Sequence, residues 1–373
     1  MPRPSRSILL VNESLGGGGA ERQLAQVANG FAADGERVWL ASWASAEVPD
    51  RYVLSPLVTR VHLRKREPGG GKVAWGLALA ASWLRALRLI WRLNPDVIIS
   101  FSEVSNILVM HVARLTGHPV VASIRTNPEE MFALKPHWRR LALAAYRRAA
   151  AIVVQTQGVA EWCLAQCGTR ATIIPNMIRT PLPDPLPMTD RLPLITCVGS
   201  FFEYKGHAVL IRAFAAVHRQ NPHWRLALLG DGPERDHLEA LTLDLGLEGA
   251  VDFLGFTEDV DAILARSSIF TLASRFEGFP NALIEAMAMG CAAISTDCDY
   301  GPGEIITQGE NGILVPVNDA EALAAALETL IADDALRARL AMRALAVRTR
   351  LSADVVRQDW RALTDSIASA SGR

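Results

Sequence analysis

Two glutamates eight residues apart, Glu277 and Glu285, could together hold a ligand that is part anion and part polyol. They lie in the stretch Ser274-Arg275-Phe276-Glu277-Gly278-Phe279-Pro280-Asn281-Ala282-Leu283-Ile284-Glu285. The apolar run 269–273 before it reads as a buried strand. Gly278 and Pro280 turn the chain, and a helix is expected to follow, with Asn281 as its N-cap and Gly290 as its stop. Glu277 then sits in a strand-to-helix loop and Glu285 about one turn inside the helix. Helical side chains lean toward the N-terminus, so Glu285 points back to the ligand-facing end. Free amides at that end attract phosphate. Two carboxylates beside a phosphate cradle suit a nucleotide sugar.

The elements that position these residues repeat along the chain. Apolar runs at 7–12, 37–43, 96–101, 119–124 and 151–156 read as strands in the first half. Runs at 194–198, 225–229, 251–254, 269–273, 292–296 and 312–315 read as strands in the second. Helical stretches of ten to fifteen residues between strands argue for parallel sheets covered on both faces. So many strands fit two Rossmann-like domains better than one sheet. Four prolines within residues 180–187 mark a stiff connector between them. The expected division is 1–180 with a C-terminal helix at about 352–373, a linker at 181–193, and a second domain at 194–351. Open parallel sheets bind ligands at the carboxyl ends of their strands, so the motifs after each strand are expected to line one cleft.

The Glu-x7-Glu stretch resembles the donor-site signature of glycosyltransferase family 4. Gly16-Gly17-Gly18-Gly19-Ala20-Glu21-Arg22 is similar to that family's first-loop motif, and Val198-Gly199 to Lys205-Gly206 to the start of its second domain. Leu229-Gly230-Asp231-Gly232-Pro233-Glu234, Phe253-Leu254-Gly255-Phe256, Gly301-Pro302-Gly303-Glu304 and Glu310-Asn311-Gly312 continue in the family's order. The resemblance implies an α/β GT-B fold, with two Rossmann-like domains facing across a cleft and a final helix crossing back to the first. It implies a retaining transfer from a nucleoside-diphosphate sugar, UDP-linked, to a lipid-linked or other glycan acceptor in bacterial surface polysaccharide synthesis.

Residue by residue, the resemblance gives Lys205 the donor diphosphate, where an ammonium neutralises charge growing on the leaving group. It gives Glu285 the ribose hydroxyls and Glu277 the donor sugar and the positive charge at its anomeric carbon. Gly199, Gly230, Gly255 and Phe256 border the donor, and Phe256 could stack on the base or merely pack. The amides of Gly278, Phe279 and Asn281 are expected to hold sugar and phosphate oxygens. Gly17 and Gly18, in a four-glycine loop, let backbone amides approach a phosphate or the acceptor. Two positions depart from the family pattern. Ser200 stands after Gly199 where an arginine is usual, with Arg275 a possible substitute. Arg125 stands near the place of a common histidine; it cannot act as a base at neutral pH, but could bind a phosphate or the acceptor. The acid–base assignment therefore stays open. Asp297-Cys298-Asp299 is not taken as a metal site, and no cofactor or metal is expected. A sugar-nucleotide epimerase of the same fold and a catalytically silent donor-binding subunit are the rival readings.

Composition narrows the setting. The five cysteines among 373 residues show neither disulfide nor zinc spacing, as expected of a reducing cytoplasm. Residues 7–11 read as a first strand rather than a leader. Residues 73–93 carry Arg85, Arg88 and Arg92, which argues against a membrane span. Residues 1–180 hold 22 Lys+Arg against 12 Asp+Glu, and the rest of the chain holds 16 against 27. This asymmetry, with basic aromatic segments at 75–92 and 135–148, points to peripheral contact with an anionic membrane at the cytoplasmic face. Those segments equally suit core-facing helices with solvated arginines. No nucleic-acid partner is expected.

Overall fold

A computed structural model describes residues 5–67, 69–134, 136–257 and 259–370. The chain forms two compact units: one comprises the residues up to Met177 together with those from Ala353 onward, the other Ile178–Ser352. Each is a parallel sheet covered by helices.

Unit 1 contains strands β1 (Ser7–Asn12), β2 (Arg37–Ser42), β3 (Val58–His62), β4 (Val97–Phe101), β5 (Val120–Ser123), β6 (Ala151–Val154) and β7 (Thr172–Ile173). Its helices are α1 (Gly19–Ala33), α2 (Lys72–Leu93), α3 (Glu103–Thr116), α4 (Pro128–Leu134), α5 (Pro136–Tyr146) and α6 (Gln157–Cys167). The sheet order is β3-β2-β1-β4-β5-β6-β7. Strands β1, β4 and β5 are buried throughout, as Val/Ile/Leu runs covered on both faces must be. Strands β3 and β7 were not among the expected runs. They are edge strands, half-exposed or exposed along most of their length, and lack a continuous apolar signal.

Unit 2 contains β8 (Leu192–Val198), β9 (Arg225–Leu229), β10 (Val251–Gly255), β11 (Ser267–Leu272), β12 (Ala292–Thr296) and β13 (Ile313–Val315). Its helices are α7 (His207–His218), α8 (Arg235–Asp244), α9 (Val260–Arg266), α10 (Asn281–Ala288), α11 (Pro302–Ile305), α12 (Ala320–Ala332), α13 (Asp334–Ala344) and α14 (Val347–Arg350). The order is β10-β9-β8-β11-β12-β13, so the topology switches direction between β8 and β11. In unit 1 the same switch falls between β1 and β4.

The last helix, α15 (Ala353–Ala370), belongs to unit 1. Val356, Trp360, Thr364 and Ile367 recur at helical spacing and are buried. Trp360 stacks on Phe101 at the end of β4, with ring centroids 5.8 Å apart. Arg357 and Arg361 both reach Asp34 at the end of α1.

The proline-rich segment is not a free linker. The buried Arg191 guanidinium donates to the carbonyls of Leu186, Ser267 and Met289, and Ile178 N–H donates to Leu351 O at 2.9 Å. These bonds stitch residues 178–191 onto unit 2, so the division falls at Met177/Ile178 instead of at 180. Prolines cannot join a sheet, but their carbonyls still accept.

Unit 2 also buries an imidazole. Gly206 (φ 69°) turns the chain into α7, and His207, the first residue of that helix, packs edge-on against Phe201 at 4.8 Å. Neither ring nitrogen has a hydrogen-bond partner among the described residues. Burial, with the nearby Lys205 ammonium second, pushes the ring down from 6.5 to about 4. The folded protein thus keeps His207 neutral where the unfolded chain takes up a proton. The resulting stability is present above pH 6.5 and is lost as pH falls through 6.5 toward 4. It should amount to about 3 kcal/mol. His207→Phe keeps the aromatic contact and removes the titration. The gap in unfolding free energy between pH 7 and pH 4.5, measured by urea denaturation, should shrink by about that amount in the variant. An equal gap in both proteins would show that His207 does not titrate this way.

Candidate donor site in unit 2

Every switch-point crevice lies outside the carboxyl ends of two adjacent strands whose following loops depart in opposite directions. In unit 2 those strands are β8 and β11, and the two loops bring one ion pair together. Lys205 lies in a 3-10 turn, Glu203–Lys205, after β8. Glu277 lies in the loop after β11. Lys205 Nζ donates to Glu277 Oε1 at 2.7 Å, and Ser274 Oγ donates to the same oxygen at 2.7 Å.

The backbone around the pair is close-fitting. A Cβ at Gly206 would lie 2.0 Å from Ala273 O, so glycine alone lets the Lys205 turn approach β11. Arg275 N–H donates to Tyr204 O at 2.7 Å, and the Tyr204 and Phe276 rings stack 4.6 Å apart and nearly parallel. Thr296 Oγ1, at the end of β12, donates to Ser274 O at 2.5 Å. Three neighbouring strands therefore brace the Glu277 loop. Burial opposes the Lys205 charge, but the Glu277 carboxylate more than offsets it and holds the ammonium above its ordinary value. Both side chains are largely buried, and removing one partner from such a pair typically costs about 3–5 kcal/mol because it strands the other charge.

The glycines assigned to the donor line the same crevice. Gly199 faces the Lys205 stem, with its Cβ position 4.0 Å from Cδ. Gly230 (φ 145°) leaves no room for a side chain, because a Cβ there would lie 2.0 Å from Gly199 O. Gly230 N–H donates to Gly255 O at 2.9 Å. Gly199, Gly230 and Gly255 thus form a continuous floor across the ends of β8, β9 and β10. Phe256 is 75 % exposed beside it. Gly278 approaches Gly301, where a Cβ would meet Gly278 O at 2.8 Å, and Phe279 is buried.

Helix α10 begins at Asn281, and Pro280 is its cap, not Asn281 as expected. The proline ring already holds extended backbone at the capping position, which shifts the helix start by one residue. Gly290 (φ 76°) follows the helix as its left-handed stop. Glu285, one turn into α10, is buried at 4 % exposure. Arg275 is half-exposed and pairs with Glu203 at 3.2 Å, on the outer side of the same turn as Lys205. Asp297 and Asp299 follow β12; among the described residues no three His, Cys, Asp or Glu side chains gather into a group that could hold a metal ion.

In unit 1 the expected site groups are engaged within the fold. The amides of Gly17 and Gly18 are already engaged: both donate to Glu21 Oε2, at 2.7 and 2.6 Å. The α1 N-terminus supplies its own anion, and Ser14 adds a further bond to Glu21. Arg125 does not stand open at the end of β5. It is 7 % exposed, stacked 4.0 Å over the Phe101 ring and 5.6 Å from that of Trp360, with Nη1 donating to Asn176 Oδ1 at 2.9 Å. Burial without a carboxylate pushes it down to about 9. The aromatic shelf of Phe101 and α15 draws the guanidinium inward.

Of the basic segment 135–148, Lys135 lies outside the described residues. Arg139 and Arg147 donate to Gln166, and Arg148 donates to Ala144 O. Ser274, Thr296 and the Tyr204–Phe276 stack were not assigned roles from the sequence. Hydroxyls and aromatics beside a motif glutamate are the one signal that could have found them.

The chain is similar to known proteins along most of its length. The family described as "Glycosyltransferase Family 4" matches residues 17–181, and "Glycosyl transferases group 1" matches residues 180–346. The lipopolysaccharide core biosynthesis glycosyltransferase LpsD of Rhizobium meliloti is 30% identical over 316 residues, 81% of this chain and 86% of that one. The N-acetylgalactosamine-N,N'-diacetylbacillosaminyl-diphospho-undecaprenol 4-alpha-N-acetylgalactosaminyltransferase of Campylobacter jejuni is 40% identical over 143 residues, 38% of each chain. The matched region spans less than half the length of the first curated relatives. Among solved structures, Anabaena HepE in complex with UDP superposes with a TM-score of 0.80 at 21% identity, covering 96% of this chain and 100% of that one. With two parallel-sheet Rossmann-like units and family matches running from residue 17 to residue 346, the chain belongs to the family 4 glycosyltransferases of GT-B fold.

Proposed function

We propose that the chain transfers a sugar, with retention, from a UDP-linked hexose or N-acetylhexosamine to a lipid-linked glycan in the synthesis of lipopolysaccharide or exopolysaccharide, at the cytoplasmic face of a membrane. The observation that carries this is the Lys205–Glu277 pair across the β8/β11 switch point, with Glu285 one turn into α10 behind it. A diphosphate entering the crevice meets Lys205 as a counter-charge, the ribose meets Glu285, and the sugar meets Glu277. As the glycosidic bond breaks, charge grows on the diphosphate, and a fixed ammonium is worth more there than in the ground state. A retaining glycosidase works through two opposed carboxylates; here the donor's own phosphate is proposed to depart on the face the acceptor attacks and to take the acceptor proton. The names of LpsD and of the undecaprenol-linked relative support the acceptor class, and the UDP in HepE supports the donor. Lys205 and the α10 N-terminus supply the counter-charge without a metal.

Incubation with a panel of UDP-sugars and an extract of lipid-linked glycans should release UDP, and excess EDTA should leave the rate unchanged. Full loss on chelation, restored by Mg²⁺, would return Asp297 and Asp299 to consideration as ligands. Glu285→Ala removes the acceptor of the ribose hydroxyls and should weaken UDP binding by about 1.5–3 kcal/mol in calorimetry. Unchanged affinity would take Glu285 out of the ribose site.

A further inference from the structure

We propose that the outward stripe of α2 is a membrane-docking face that lies on the anionic surface of a bilayer. Helix α2 has 22 residues and is long and apolar enough to cross a membrane by length and composition. Its second half nevertheless belongs to the fold: Ser82, Ala86 and Ile90 are buried, the last two among Leu9, Val11, Ile98 and Val109. The opposite face carries Val73, Leu77, Ala80, Leu84, Arg88 and Trp91, in steps of four, three, four, four and three that keep one helical side. Val73 is 78 % exposed, Leu77 69 %, Leu84 45 % and Trp91 77 %. No other helix shows so long an exposed apolar row among the described residues.

The helix is also too long for its sheet. At about 1.5 Å per residue it spans roughly 33 Å, whereas the five- and six-residue strands beneath it span roughly 20 Å. It starts on the carboxyl side of β3 and ends on the amino side of β4, and its buried residues begin only at Ser82. Its first ten residues therefore overhang the carboxyl ends of the unit 1 strands, the end at which that sheet's switch point opens.

Charge selects the occupant. Helix α2 holds no Asp or Glu. Exposed Lys65 and Arg66 precede it, and exposed Arg88 and Arg92 lie at its far end. Arg64 stacks on Trp75 at 4.9 Å and spends its charge on Glu67, so the cations presented to solvent are those at the two ends. An apolar row bounded by cations and a terminal tryptophan fits the headgroup–acyl boundary of an anionic leaflet. The arginines of α5 and the turn after it are less available, since three of them donate to protein oxygens. This inference rests on the reading that the acceptor is lipid-linked: the overhang would bring the carboxyl end of the unit 1 sheet down to the bilayer.

Vesicle flotation tests it, with phosphatidylcholine vesicles containing or lacking phosphatidylglycerol. Wild type should float with the anionic vesicles and much less with the neutral ones. Leu77→Glu/Trp91→Glu should lower its partition about tenfold or more, with unfolding midpoint and UDP affinity unchanged. Flotation of the double variant equal to wild type, or no flotation of wild type, would overturn the proposal. So would a wild-type dimer in sedimentation that the variant converts to monomer, since the stripe would then face a second copy. Calorimetry with UDP separates the two readings. A wild type that floats but does not bind UDP would refute the transferase reading alone, and one that binds UDP but never floats would refute the docking face alone.

Discussion

The donor crevice depends on one electrostatic constraint: an ammonium and a carboxylate held 2.7 Å apart by loops from two different strands. Either charge alone would be costly in so buried a place. Together they fix the separation of the loops after β8 and β11. The small residues around them follow from that separation. Gly206 must be glycine because the Lys205 turn touches β11, and Gly230 must be glycine because its neighbour is Gly199 O. The Ser274 hydroxyl and the Tyr204–Phe276 stack hold the glutamate side of the pair, so Lys205 is presented to incoming phosphate without needing to search for its rotamer.

Unit 1 solves a different problem. Its glycine loop keeps its amides on Glu21, and the buried guanidinium of Arg125, near the sheet's end, is stacked on Phe101 and Trp360. Neither group presents a ready phosphate cradle. Among what unit 1 does present to solvent is the apolar stripe of α2, flanked by the exposed Lys65, Arg66, Arg88 and Arg92.

The sequence was most legible where chemistry and backbone agree. Buried parallel strands such as β1, β4, β9 and β12 write themselves as apolar runs, and the glycine and carboxylate spacing after β11 marks a ligand loop from residue order alone. Edge strands β3 and β7 escaped because an edge need not be apolar. The cap of α10 was misplaced by one residue, since proline competes with asparagine for the same extended backbone. Where the Arg125 side chain points is not legible locally. Sequence position puts it at the end of β5, but its direction is decided by Trp360, more than two hundred residues later, and no local pattern records that contact.

Diffraction from crystals grown with saturating UDP addresses the donor crevice most directly. The account predicts the diphosphate within about 3 Å of Lys205 Nζ and the ribose hydroxyls on the Glu285 carboxylate, with Glu277 turned toward the open end where the sugar would continue. UDP bound elsewhere, or a Lys205 that stays on Glu277 and makes no contact with the nucleotide, would contradict it.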